Sequence, residues 1–143
     1  MKVFRSKKNN SKTSNFLLNL RNKKYVRTNS LDRKLIKIED HKKWLNSYLK
    51  NKKNKIFIIK INQKYIGYFR LQKKNSYYET SWAILEKFRG KKIISKFLKK
   101  VTTNSKVNYR ATIRRQNIAS IKAALNAGFV IKRKVKSLIY MHK

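Results

Sequence analysis

Trp82-Ala83-Ile84-Leu85-Glu86-Lys87-Phe88-Arg89-Gly90-Lys91-Lys92-Ile93-Ile94-Ser95 changes character twice along its length. An apolar run, Trp82 to Leu85, gives way to a charged turn. Beyond it Ile93, Ile94, Phe97, Leu98 and Val101 recur at helical spacing. The stretch reads as strand, loop and helix, with Gly90 opening the helix. Free N–H groups at a helix N-terminus bind phosphate oxygens, because local hydrogen bonding and the helix dipole both favour an anion. Arg89 to Ser95 is therefore a candidate phosphate-binding segment, to which Arg89, Lys91 and Lys92 add Coulombic attraction.

Downstream, Val107, Tyr109, Ala111 and Ile113 alternate as a strand. Asn117 to Asn126 reads as a helix stopped at Gly128, and Phe129 to Met141 supplies one or two final strands. Upstream, Tyr77 to Leu85 is a strand, and Lys55 to Ile61 with Lys64 to Leu71 forms a hairpin across Asn62-Gln63. From about Glu39, a helix carries Ile38, His41, Trp44, Leu45, Tyr48 and Leu49 on one face and ends near Asn51. Phe16, Leu17 and Leu20 mark a shorter helix from Asn15, with Ser14 as its N-cap, and Val3 to Arg5 a first strand. This order predicts an α/β (α+β) fold: a mixed, mostly antiparallel central sheet flanked by about four helices, in one domain over residues 1–143.

A chain of 143 residues is long enough to bury about two-thirds of its unfolded surface in one core. Its net charge of +35 comes from 40 Lys and Arg against five acids, Asp32, Glu39, Asp40, Glu79 and Glu86. A codon bias toward Lys, Asn and Ile accounts for the lysines but not for the missing acids. The charge predicts a polyanionic neighbour: a cofactor, a nucleotide-linked substrate or nucleic acid. The absence of Cys excludes disulfides, thiolate metal sites and a cysteine nucleophile. His41 and His142 are too few and too separated for a zinc site, so no metal is expected. No apolar run approaches the length of a membrane span, and Met1 to Lys12 lacks the apolar segment of a signal peptide, which predicts a cytoplasmic protein.

The order of elements and three segments resemble the GNAT acetyltransferases over nearly the whole chain. Trp82 to Leu85 followed by Glu86 to Lys91 looks like the strand, turn and loop that hold acetyl-CoA in that family. Asn117-Ile118-Ala119-Ser120-Ile121, running to Ala127-Gly128-Phe129, looks like its penultimate helix and the strand that follows. Leu18 to Asn22, Val26-Arg27 and His41 to Trp44 are similar to the branch that acetylates amino groups on nucleotide-linked sugars, as in pseudaminic-acid synthesis. The same region is related to the ribosomal-protein N-terminal acetyltransferases.

The resemblance implies an N-acetyltransferase with acetyl-CoA as donor and an anionic, amine-bearing small molecule, such as a nucleotide-linked amino sugar, as acceptor. It implies cofactor contacts at Ile84, Arg89, Gly90, Lys91, Lys92, Ile94, Ser95, Asn117 and Ser120. The strand around Ile84 is expected to splay from its neighbour and to offer a backbone N–H to the thioester carbonyl, a donor of a kind that contributes about 3 to 4 kcal/mol. Glu79, on the same strand, is the first candidate for general base, a role typically worth about 10²–10⁴-fold. His41 is the second, although a His on an apolar helix face more often packs. Asn117 serves equally as an N-cap.

Two departures accompany the likeness. Lys92 and Ile94 stand where the family places small residues, which removes the close backbone approach that glycine allows. Ala124 stands where many members carry a Tyr that protonates the leaving thiolate, and a thiolate of pKa about 8.5 leaves unaided. Two other readings stay open at this level: a protein N-terminal acetyltransferase, and a degenerate member binding nucleic acid or ribosome through basic stretches interleaved with aromatics, such as Lys64 to Tyr78.

Overall fold

The computed structural model describes residues 1–143. Seven strands form one sheet: β1 (Lys2–Ser6), β2 (Lys55–Ile61), β3 (Lys64–Lys73), β4 (Tyr78–Ile84), β5 (Tyr109–Arg114), β6 (Val130–Val135) and β7 (Leu138–His142). Their order is β1-β2-β3-β4-β5-β7-β6. Every pairing is antiparallel except β4 with β5. The helices are α1 (Ser11–Arg21), α2 (Lys24–Arg27), α3 (Ile38–Lys50), α4 (Ile93–Val101) and α5 (Ile118–Asn126), with a 3₁₀ turn at Glu86–Phe88.

Because side chains alternate along a strand, the sheet has two coats. On one face Leu17 and Leu20 of α1 and Leu45 and Tyr48 of α3 pack on Ile56, Ile58, Tyr68 and Ala83. On the other, Phe97 and Leu98 of α4 and Ile121 and Ala124 of α5 pack on Phe69, Ile84, Ala111 and Met141. Adjacent residues Ala83 and Ile84 thus belong to opposite cores, and β4 is the central wall between them.

One glycine sets how closely that wall can stand. Gly67 in β3 lies opposite Ile84, and a Cβ built on it would come within 2.8 Å of the Ala83 carbonyl oxygen. Only a residue without Cβ lets the two strands approach this way.

The segment between α2 and α3 is held by its carbonyl oxygens. Arg114 of β5 donates to those of Ser30 and Leu31, each at 2.7 Å, and Gln116 to that of Thr28 at 2.9 Å. Arg21 donates to Asp32, Arg27 to Arg33, and Asn22 to Ile36. Asn22 also accepts from the Ile36 N–H at 2.9 Å.

The order of strands along the chain and the mixed, mostly antiparallel sheet match the sequence reading, and several boundaries move. α1 begins a turn before Asn15, capped by Asn10, whose side chain accepts from the Thr13 N–H at 2.9 Å; Ser14 lies inside the helix. Its first turn is polar, so apolar periodicity does not reveal it. α4 begins at Ile93 rather than Gly90, because Gly90 (φ 75°) and Lys92 (φ 57°) are both left-handed and cannot propagate an α-helix. α2 has no counterpart in the sequence reading. Ile38, assigned to the buried face of α3, is exposed at the first position of that helix.

Candidate active site

β4 and β5 pair only at Tyr78↔Tyr109 and Glu79↔Arg110, and beyond that point they splay. On its other side β4 stays paired with β3 along its whole length. The Leu85 N–H donates to the Ile66 carbonyl at 2.8 Å, and antiparallel ladders alternate, so the N–H groups of Trp82 and Ile84 turn away from β3 toward the gap. The gap therefore presents a short edge of backbone without a partner strand in the middle of a sheet.

A cavity of about 530 Å³ occupies this gap. Its walls are Trp82, Ala83 and Ile84 of β4, the Phe88 to Gly90 turn, the start of α4 from Lys92 to Ser95, the start of α5 from Asn117 to Ser120, and Tyr25 and Val26 of α2. The cofactor residues expected from sequence gather here, apart from Lys91. That side chain lies outside the lining, with its ammonium 5.6 Å from the Phe88 ring centroid.

The N–H groups of the first turn of α4 have no acceptor within the helix. Ser95 turns its hydroxyl back to the Lys92 carbonyl at 3.0 Å, so it closes the turn. Lys92 occupies the left-handed conformation in which glycine is at ease, and Arg89, Lys92 and Lys122 bring positive charge to the cavity. Asn117 caps α5: its Oδ1 accepts from the Ser120 N–H at 3.3 Å, which leaves its amide nitrogen for other partners. First-turn N–H groups beside three cations suit phosphates, and the exposed edge of β4 suits an arm of amide groups. The residues present thus fit CoA.

Tyr25 is the functional neighbour that sequence reading does not single out. Its hydroxyl donates to the Ile84 carbonyl at 3.0 Å, and the Arg89 guanidinium stands 5.4 Å from its ring centroid. Burial raises the pKa of this phenol, so it stays a donor. Asn29, Ser30, Lys122 and Ala123 also line the cavity without a sequence signal, and Val26, part of the resembling Val26-Arg27 segment, joins them. A four-residue helix is too short to show a period.

Glu79 sits where the splay begins, on the face of Ala83 and opposite to that of Ile84. It accepts a hydrogen bond from the Thr112 hydroxyl at 3.3 Å. Burial pushes its carboxyl above the ordinary carboxylate range, partly offset by Thr112 and by the charges of Lys74 and Arg110. His41 is elsewhere: it is 4% exposed and lines a second cavity beneath α1 and α3. Burial lowers its pKa, so its neutral form is favoured. No cluster of His, Cys, Asp or Glu is arranged to hold a metal, and no helix is long and apolar enough to cross a membrane.

A family model described as an acetyltransferase (GNAT) domain matches residues 12–130. The chain belongs to the GNAT acetyltransferases, and it is an acyltransferase with acetyl-CoA as donor. Among solved structures, the spermidine N-acetyltransferase of Vibrio cholerae in complex with CoA and spermine is similar with a TM-score of 0.82 at 12% identity, covering 99% of this chain and 94% of that one. An aminoglycoside acetyltransferase, AAC(6')-Ib, in complex with coenzyme A gives 0.78 at 15%, over 99% and 94%. The N-acetyltransferase PseH of Campylobacter jejuni gives 0.70 at 18%, over 99% and 96%. At such identities the likeness is one of fold. No curated protein matches the sequence.

Proposed function

We propose that this chain acetylates the primary amine of an anionic small molecule, a nucleotide-linked amino sugar, and that Glu79 is the base. The observation that carries this reading is the setting of Glu79: a half-buried carboxylate at the start of the splay, with Lys74 and Arg110 as its charged neighbours. A polycationic acceptor would meet those two cations with one carboxylate to oppose them. An acceptor carrying phosphates matches them and still presents an amine to Glu79.

Bound acetyl-CoA supplies the activated acyl carbon. The first turn of α4, with Arg89, Gly90, Lys92, Ile94 and Ser95, holds its phosphates, and Asn117 and Ser120 flank it from α5. The edge of β4 aligns its arm along Trp82 to Ile84. The Ile84 N–H, turned into the gap, donates to the acyl oxygen as charge develops there. From the opposite face of the sheet the amine enters at the splay, and Glu79, five residues back along β4 from Ile84, takes its proton through water as the N–C bond forms and the C–S bond breaks with CoA leaving as the thiolate. Tyr25, whose hydroxyl donates to the Ile84 carbonyl, stands beside the acyl site. His41, the other candidate base, opens on a different cavity and has no part in this arrangement.

The test is calorimetric titration of nucleic-acid-free protein with acetyl-CoA against ATP, followed by acetylation assays on a uridine-diphosphate-linked amino sugar, spermidine and a peptide with a free N-terminus. One-to-one binding of acetyl-CoA much tighter than ATP, with turnover of the sugar nucleotide, is the expected result. Preferred turnover of the peptide moves the acceptor to a protein N-terminus. Equal, salt-sensitive binding of ATP and acetyl-CoA assigns the charge to a surface for nucleic acid or ribosome.

A further inference from the structure

A second cavity, about 240 Å³, opens beneath α1 and α3 on the face of β3 that carries Tyr68 and Arg70. It is separate from the gap between β4 and β5, and its polar lining is unusual. Arg21 gives one terminal nitrogen to the Asp32 carbonyl, while Nη1 is buried with no partner. His41 is 4% exposed, and its Nε2 is likewise buried with no partner. Arg70 donates Nε to the Ser81 hydroxyl at 3.1 Å, and its guanidinium stands 5.0 Å from the Trp44 ring centroid.

Buried donors are almost always satisfied, and leaving one unpaired costs about 1–3 kcal/mol. Here one such donor, Arg21 Nη1, and an unpartnered imidazole nitrogen, His41 Nε2, line the same small cavity as a second guanidinium. The one carboxylate in the lining is Asp32, whose Oδ1 is engaged by the Lys34 N–H at 3.0 Å. Burial lowers the Arg21 pKa, and the charge of Arg70 adds to that. Two guanidiniums and an imidazole facing one space are arranged for an oxyanion of more than one charge, since guanidinium forks match phosphoryl oxygens in pairs. Trp44 and Tyr68 contribute flat apolar faces at the same cavity, suited to a ring attached to that group.

We propose that this cavity is a phosphoryl-binding site in which Arg21, Arg70 and the His41 Nε2, protonated as the anion binds, hold the oxygens and Trp44 flanks the group they carry. Arg70 connects it to the acceptor side, because Ser81, its hydrogen-bond partner, is on the same face of β4 as Glu79. The phosphoryl group is supplied by the acceptor or is free phosphate; only the first source rests on the acceptor reading above.

Trp44 and Trp82 are the two tryptophans of the chain, so in a Trp82→Phe background the emission reports on this cavity alone. Inorganic phosphate is titrated into that full-length protein without acetyl-CoA, at ionic strength held constant with chloride, and uridine diphosphate is titrated in a second arm. The expected result is a saturable change in Trp44 emission that weakens at least tenfold in Arg70→Gln and in Arg21→Gln and persists in Lys122→Gln, which alters the other cavity. Tighter binding of the nucleotide assigns the group to the acceptor, and equal binding assigns it to free phosphate. If an arginine variant does not fold, the ¹⁵N shift of His41 Nε2 in the unmutated chain reads the same event. No saturable response, an undiminished response in Arg70→Gln, or loss in Lys122→Gln overturns the proposal and leaves water as the partner of these donors. Because no acetyl donor is present, that outcome is independent of whether the chain turns over a sugar nucleotide.

Discussion

Glu79 is one of five acids against 40 cations, and its environment gives its protonation a measurable signature. Its pKa is raised, so the carboxylate needed to accept a proton forms only above the usual range for such groups. The expected kcat/KM rises with pH through that raised value, and Glu79→Gln removes this limb and lowers kcat by about 10²–10⁴-fold. Stability runs the other way. The folded state keeps the proton to higher pH than the unfolded chain does, so stability falls as pH rises from the ordinary carboxylate value through the raised one. Denaturant titrations of the wild type and Glu79→Gln across that window check it. Lys92 offers a second test. A side chain at φ 57° costs about 1–2 kcal/mol relative to glycine. Lys92→Gly is expected to raise the denaturant midpoint and to tighten acetyl-CoA several-fold, because the first turn of α4 becomes more accessible to phosphate. At this scale the sequence showed that a small residue was missing at Lys92, and the structure shows that the chain nevertheless keeps the conformation a small residue would have had. Tyr25 was illegible because nothing local in Lys24 to Arg27 foretells that its hydroxyl meets a carbonyl 59 residues further on.

Among the elements, β4 decides the site, and its position rests on Gly67. Gly67→Ala sets a Cβ against the Ala83 carbonyl, a backbone atom that can yield only if β4 moves. The variant is expected to lose about 1–3 kcal/mol of stability. It should also weaken acetyl-CoA binding in the fraction that folds, read by calorimetry at a temperature where both proteins are native. The strands were legible because alternation in β5 and the apolar runs in β2 and β3 are local signals. The splay was expected only from the family resemblance: the parallel register of β4 with β5 joins segments with α4 between them, and periodicity says nothing about where a ladder ends. Ile84 and Glu79 were legible as positions of one strand, and their odd spacing sets them on opposite faces; which core each face meets emerged only from the structure. His41 was legible as a buried residue of the apolar face of α3, but the cavity it faces is assembled from four separate segments.

At the scale of the whole molecule, the +35 charge acts at a distance on an anionic donor. Raising the salt from about 0.01 to 0.1 M shortens the Debye length from about 30 to about 10 Å. kcat/KM for acetyl-CoA is expected to fall over this range while kcat changes little, because long-range attraction speeds encounter and does not act on the bound complex. Steady-state kinetics at a series of salt concentrations check this. β6, exposed along its length at the sheet margin, carries Lys132, Arg133 and Lys134, and such charges keep an open edge from pairing with another sheet. The segment from Thr28 to Ile36 has a different freedom. Arg21, Asn22, Arg27, Arg114 and Gln116 grip it by main-chain oxygens, atoms that every amino acid possesses. Its shape is therefore specified from outside, and the identities of Leu31, Arg33, Lys34 and Leu35 are left open to drift or selection. A lineage can retune what this rim of the protein greets by exchanging those side chains, without having to reinvent the loop that displays them.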